Sequence, residues 1–161
     1  MGNVSYPATA SELDQVEKAC RELGLNSIRR ELHRAEDIPQ AFENLKGEVD
    51  AIYVAVEPLA ISRRNEINGR ALSIGLPTIS GTRDFTAAGG LMAYGPNFPA
   101  LFARSADLVD KILRGANAGK IPVEQPTKKN TSGRDRLASR TSLGDVLFRK
   151  MIPDALPLLV C

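Results

Sequence analysis

At 161 residues, with 43% hydrophobic and 25% charged residues, the chain has the make-up of one soluble globular domain with a real core. A net charge of +2, no Trp and few aromatics exclude a dedicated nucleic-acid binder and a base-stacking platform. No apolar run approaches the ~20 residues of a membrane span, so no stable membrane insertion is expected.

The chain starts with Met1-Gly2-Asn3-Val4-Ser5-Tyr6-Pro7, which is not an export signal and, taken literally, implies the cytosol. Residues 1–8 read as a stub of strand entering a Pro turn. Thr9-Ala10-Ser11-Glu12 fits a capping box, with Thr9 as N-cap. Leu13, Val16, Cys20 and Leu23 then share one helical face that Gly24 ends. Cys20 is a packing residue, since Cys20 and Cys161 have neither metal nor redox spacing. Residues 27–33 alternate weakly, as an outer strand does. Glu36 and Asp37 open a short helix with Ile38, Phe42 and Leu45 inward.

Residues 49–56 are the frame of the chain. Ile52, Tyr53, Val54, Ala55 and Val56 form an unbroken apolar run, too short for a helix and without polar alternation. That is a strand buried on both faces, as in parallel sheets between helices. It stops at Glu57-Pro58. A helix over 61–74, a strand over 78–80, a loop or single turn over 81–90 and a strand over 91–94 follow. Gly95-Pro96 reads as a turn. Residues 98–115 make the strongest helix, its apolar face formed by Leu101, Phe102, Val109, Ile112 and Leu113. The alternation predicts an α/β, three-layer doubly wound parallel sheet of flavodoxin-like order. Residues 125–142 hold five basic residues and almost nothing apolar, too little to order themselves.

Ligands of open parallel sheets bind at the carboxyl ends of the strands. Three loops are expected there. Ser5, Tyr6, Thr9, Ala10 and Ser11 surround a helix N-terminus that attracts an anion such as a carboxylate. Glu57 and Pro58 end the central strand, and Glu57 would accept from an ammonium group. Ser80, Gly81, Arg83 and Asp84 lie in the third loop, where Arg83 would grip a carboxylate. Each has a plainer reading: Thr9 as a cap, Glu57 as a solvated charge, Arg83 as a surface partner of an acid. The single histidine, His33, lies on the outer strand away from any triad. No phosphate-loop, cofactor or metal-ligand spacing occurs. Hydroxyls, one acid and one Arg without nucleophile or base suit binding rather than turnover.

Several runs carry a resemblance. They include Arg34-Ala35-Glu36-Asp37-Ile38, Asp50-Ala51-Ile52-Tyr53-Val54 and Ala88-Gly89-Gly90-Leu91-Met92-Ala93-Tyr94-Gly95-Pro96. Pro122-Val123-Glu124-Gln125-Pro126-Thr127-Lys128 completes them. Over roughly residues 2 to 128 the chain resembles the ABC-transporter substrate-binding proteins related to tryptophan and tyrosine uptake receptors. The resemblance implies one lobe of a type I periplasmic-binding-protein fold, a small solute between two lobes, an ABC permease as partner and a periplasmic location.

By the same resemblance this is the second lobe, over residues 1–124, with its first strand truncated and a first lobe missing. Residues 125–161 would be a hinge remnant and an atypical basic tail. Glu57 stands where an Asp is more usual, and Thr82 where an aromatic residue is. After Lys128 the family continues with an apolar strand, and a shifted reading frame would account for the polar segment found here. The leading expectation is a solute-binding lobe for a small carboxylate-bearing solute, with amino acids among the candidates. The alternatives are a non-binding remnant and, less favoured, an enzyme on a flavodoxin-like scaffold.

Overall fold

The computed structural model describes residues 1–124 and the backbone of residues 129–133. Strand β1 (Gly2–Asn3) leads into helix α1 (Pro7–Glu22), strand β2 (Glu31–Leu32) and helix α2 (Asp37–Ala41). Strand β3 (Ile52–Val54) precedes two helices, α3 (Pro58–Ser62) and α4 (Arg64–Ser73). Strand β4 (Thr78–Ser80), helix α5 (Arg83–Ala87), strand β5 (Met92–Pro96) and helix α6 (Phe98–Leu113) follow. Strand β6 (Lys129–Gly133) comes last.

The strands run β2-β1 and β3-β4-β5-β6, parallel except for the β5–β6 pair. Met1 ties the two groups together. Its carbonyl accepts from Ala55 N–H at 3.0 Å, and its terminal amine donates to the Tyr53 carbonyl at 2.6 Å. The strand order is therefore the expected flavodoxin-like one, with β1 between β2 and β3. The expected short first strand is present as two residues, and with Met1 it still meets backbone groups on both sides.

The core lies where β3 meets the helices. Leu32, Ile38, Val54, Ile67 and Phe85 are fully buried, each contributing about 1.5–3 kcal/mol of transfer free energy. Ile38, Phe42 and Leu45 point inward as their spacing predicts. A buried polar network crosses this region. Asn68 Nδ2 donates to the Phe85 carbonyl at 2.9 Å, and Thr78 Oγ1 donates to Asn68 Oδ1 at 2.7 Å.

Several local expectations are refined or changed. The capping box is not used: α1 begins at Pro7 with Tyr6 as N-cap, which puts Thr9 inside the first turn. Proline fits the first helical position because its missing N–H has no intrahelical partner there. The helix expected over 61–74 is two helices, because Glu57 starts helical structure at Pro58 and Arg63 interrupts it. The stretch 81–90, expected as a loop or a single turn, takes the second form as the short helix α5. Gly95-Pro96 is not a turn but the end of β5, paired with Asn130 and Lys129 of β6.

That pairing also overturns the expectation of no order across 125–142, for five of its residues. A ladder of backbone hydrogen bonds orders a strand without apolar side chains. The rest of the expected hinge and tail, residues 125–128 and 134–161, lies outside the described residues. Finally, α6 is the amphipathic helix its sequence promises, yet none of its residues is buried.

Candidate functional site: the carboxyl rim of the sheet

The rim begins where β1 turns into α1. Asn3 Oδ1 accepts from Ser5 N–H at 2.9 Å, an Asx turn, and Tyr6 N–H returns to the Asn3 carbonyl at 3.3 Å. Pro7 then opens the helix, and the N–H groups of Thr9 and Ala10 both reach the Tyr6 carbonyl. Ser5, Tyr6 and Ser11 are exposed, Ala10 is partly so, and Thr9 is 2% exposed. Thr9 is therefore neither the cap nor an open ligand contact. It packs inward: a Cβ built on Gly2 would lie 2.9 Å from its methyl and 2.8 Å from Ala55 Cβ. This tight packing draws α1, β1 and the end of β3 together.

Sequence reasoning passed over one neighbour. His33 follows β2, and its Nδ1 lies 3.4 Å from Ser5 Oγ. Asp37 Oδ2 accepts from the backbone N–H groups of His33 and Arg34 at 2.8 and 3.0 Å. Those two bonds hold the Asp37 carboxyl below its usual range. Placing residues 27–33 on an outer strand was the available signal: in a parallel sheet, the end of that strand reaches the same rim as Ser5.

Glu57 ends the central strand in extended backbone and is 3% exposed. Its Oε2 accepts from Leu59 N–H at 2.6 Å and its Oε1 from Ala60 N–H at 2.7 Å. The solvated strand-end charge is thus a buried N-cap, with both oxygens on the first turn of α3. Pro58, exposed, is the first residue of that helix.

The third loop sits against the first two. A Cβ on Gly81 would meet Val56 Cγ2 at 2.7 Å, and one on Gly95 would meet the Gly81 carbonyl oxygen at 2.0 Å. Glycine at both positions lets the ends of β3, β4 and β5 crowd together. Ser80 is 1% exposed and its Oγ has no hydrogen-bond partner among the described residues. Thr82 Oγ1 donates to Asp84 Oδ2 at 3.3 Å. Asp84 thus faces Thr82, while exposed Arg83 has no ion pair among the described residues. The surface pair proposed for Arg83 is not made among the described residues.

The structure therefore brings Ser5, Tyr6, Ser80, Gly81 and Arg83 to one edge, adds His33, and turns Thr9 and Glu57 inward. Beneath the rim, the Tyr53 hydroxyl donates to Glu12 Oε1. Burial first, and then the Glu12 charge, push the Tyr53 phenol well above its usual range. A separate, mostly apolar recess lined by Asn68, Ala71, Leu72, Thr78 and Leu91 lies at the opposite, amino edge.

The family model described as ABC transporter substrate binding protein matches residues 3–132. A tyrosine-binding protein of Clostridioides difficile is 22% identical over 121 residues, covering 75% of this chain and 35% of that protein. A conserved domain protein of Vibrio cholerae superposes with a TM-score of 0.74 at 17% identity, over 99% of this chain and 52% of that one. A Streptococcus pneumonia ABC domain solved in complex with L-Trp gives a TM-score of 0.74 at 16% identity, over 92% of this chain and 54% of that one. The chain thus spans about half the length of these solved structures, and about a third of the tyrosine-binding protein. The layered parallel fold and a family match over most of its length agree: this chain belongs to the ABC transporter substrate-binding protein family.

Proposed function

We propose that this chain is a solute-binding lobe, the second of a two-lobe receptor, serving an ABC importer on the periplasmic side. Its solute is a small carboxylate-bearing molecule of the amino-acid class. The observation that carries this reading is the rim itself. An exposed arginine without an ion-pair partner among the described residues stands on the same sheet edge as the hydroxyls of Ser5 and Tyr6 and the N-terminus of α1. Arg83 supplies a planar two-donor grip for a carboxylate. Ser5, Tyr6 and Ser11 offer hydroxyls. Pro58, Gly81 and Asp84 shape the wall, and Glu57 holds that wall by capping α3. The names of two relatives, one binding tyrosine and one solved with L-Trp, support an aromatic amino acid as the first solute to try.

One lobe offers about half the contacts of a closed cleft. If a full receptor binds at ~1 μM, half its binding free energy corresponds to roughly millimolar affinity. NMR titration of the chain with L-Trp to about 20 mM tests this. Expected are shift changes confined to the rim, with a millimolar midpoint, lost in Arg83→Ala while the fold persists. Micromolar affinity would sink the half-site argument, and no response at that concentration would favour a non-binding remnant.

A further inference from the structure

Strand β2 delivers His33 to the carboxyl edge of the sheet, and the backbone of His33 is fixed there from both sides. Its N–H donates to Asp37 Oδ2 at 2.8 Å, and its carbonyl accepts from Asn3 Nδ2 at 3.4 Å. Asn3 of β1 stands beside Leu32 of β2 in parallel register, so the chain leaving β1 passes His33. The ring Nδ1 lies 3.4 Å from Ser5 Oγ, and both residues are exposed. The ring has no ion pair among the described residues.

A hydroxyl beside an imidazole has distinct hydrogen-bond arrangements in the two charge states. With the ring neutral and Nδ1 bare, Ser5 donates its one proton to the ring and has none left for an anion. In the other neutral tautomer Nε2 is the bare acceptor, which repels a carboxylate. With the ring protonated, Nδ1–H donates to Ser5 Oγ and the serine proton turns outward. The pair then offers an anion two donors, Ser5 O–H and Nε2–H, and one positive charge. Charge-assisted bonds of this kind are roughly twice as strong as neutral ones. We infer that His33 is a solute-binding residue of this rim, acting with Ser5 as a proton-dependent grip on the solute carboxylate. This role rests on the solute-binding reading above and gives that site a pH dependence: capture strengthens as the imidazole gains its proton. Histidine is the side chain that ordinarily changes charge between about pH 5 and 8.

The charges around the ring do not supply the same switch. β1 and α2 pack against β2. From β1 and its turn come Asn3 and Ser5, both uncharged. From α2 comes Asp37, which accepts from the N–H groups of His33 and Arg34 and pairs with the Arg34 guanidinium at 3.3 Å. Those backbone bonds hold the Asp37 carboxyl below its usual range, so it stays ionised above about pH 5. A guanidinium is charged throughout. Glu36, the N-cap of α2, makes no ion pair among the described residues. Deeper in the sheet, burial lowers the Met1 amine to about 5.

NMR titration of the full chain with L-Trp, at about pH 5.5 and at about pH 7.5, is the test. The solute carboxylate is ionised at both. The expected binding midpoint is about three- to tenfold lower at the acidic pH. His33 is the single histidine of the chain, so its ring C–H signals are unambiguous. By linkage, the titration midpoint of the ring should move up when L-Trp is added. His33→Gln cannot take up a proton. It should bind equally at both pH values, with the parent's affinity at the higher one, and melt like the parent because the side chain is exposed. The Met1 amine is intact in that variant, so any pH dependence it carried would survive there. Equal parent midpoints at the two pH values, ring signals that L-Trp leaves unmoved, or pH dependence persisting in His33→Gln would each overturn the role of His33 and leave the solute reading standing. No response to L-Trp at either pH would remove both.

Discussion

Replacing Glu57 by Gln separates a structural carboxylate from a ligand-gripping one. The side chain is 3% exposed and accepts two short bonds, 2.6 and 2.7 Å, from Leu59 and Ala60 N–H. Gln keeps the shape but only one acceptor oxygen, so one of the two N–H groups would face an amide NH2. A hydrogen bond to a charged group contributes about 1.5–3 kcal/mol, and losing an N-cap costs ~1 kcal/mol. These overlap, so the expected destabilisation is about 2–3 kcal/mol. With an m-value of about 1–3 kcal/mol/M, the urea midpoint should fall by roughly 0.7–3 M at unchanged slope. Glu57→Asp retains the charge and suits an N-cap, and should cost no more than about 1 kcal/mol, mostly for the lost methylene. If the Gln variant melts within about 0.5 kcal/mol of the parent while L-Trp binding disappears, the cap assignment is wrong and Glu57 contacts solute directly.

Asn68→Ala should destabilise by about 2–3 kcal/mol, because it leaves the buried Thr78 hydroxyl without its acceptor and removes one of the two bonds to the Phe85 carbonyl, which keeps the one from Gly90 N–H. A double-mutant cycle with Thr78→Val, read by urea unfolding, should return a non-zero coupling energy; strict additivity would contradict the network. Gly95→Ala places a methyl 2.0 Å from the Gly81 carbonyl oxygen and should cost at least about 3 kcal/mol, seen as a collapsed thermal transition; a parent-like melt would refute the close approach. The Met1 amine is lowered from 8.0 to about 5, chiefly by burial, so between those pH values the unfolded chain binds a proton the folded one does not. Stability of the chain beginning at Met1 should therefore be full above pH 8 and decline as pH falls to about 5, by up to ~4 kcal/mol. A urea midpoint flat across that range would exclude the buried amine.

Much of the fold was legible because burial leaves a direct mark on composition. An unbroken run of branched and aromatic residues has one economical reading, and residues 52–54 form the central strand that run implies. The strand over Thr78–Ser80 and the inward Ile38, Phe42 and Leu45 follow from the same logic. The rim loops were legible through topology, since every parallel strand delivers its carboxyl end to one edge. What misled were local signals with two solutions. Thr9 and Glu12 match a capping box, but Pro7 is an equally good first helical residue, which moves the N-cap three residues earlier to Tyr6, and Glu12 takes the Tyr53 hydroxyl instead. Residues 129–133 look too polar to order, yet strand pairing asks only for backbone groups.

The parallel layered fold and much of the core around the central strand were legible in the sequence alone, because hydrophobic period and crossover handedness are local constraints with few solutions. Only the tertiary structure decided that Glu57 is a buried cap, that His33 joins Ser5, that Arg83 stands without an ion-pair partner among the described residues, and that the apolar face of α6 is uncovered. Those outcomes depend on which groups meet across long sequence separations, and a side chain's partners, unlike its polarity, are not written in its own neighbourhood.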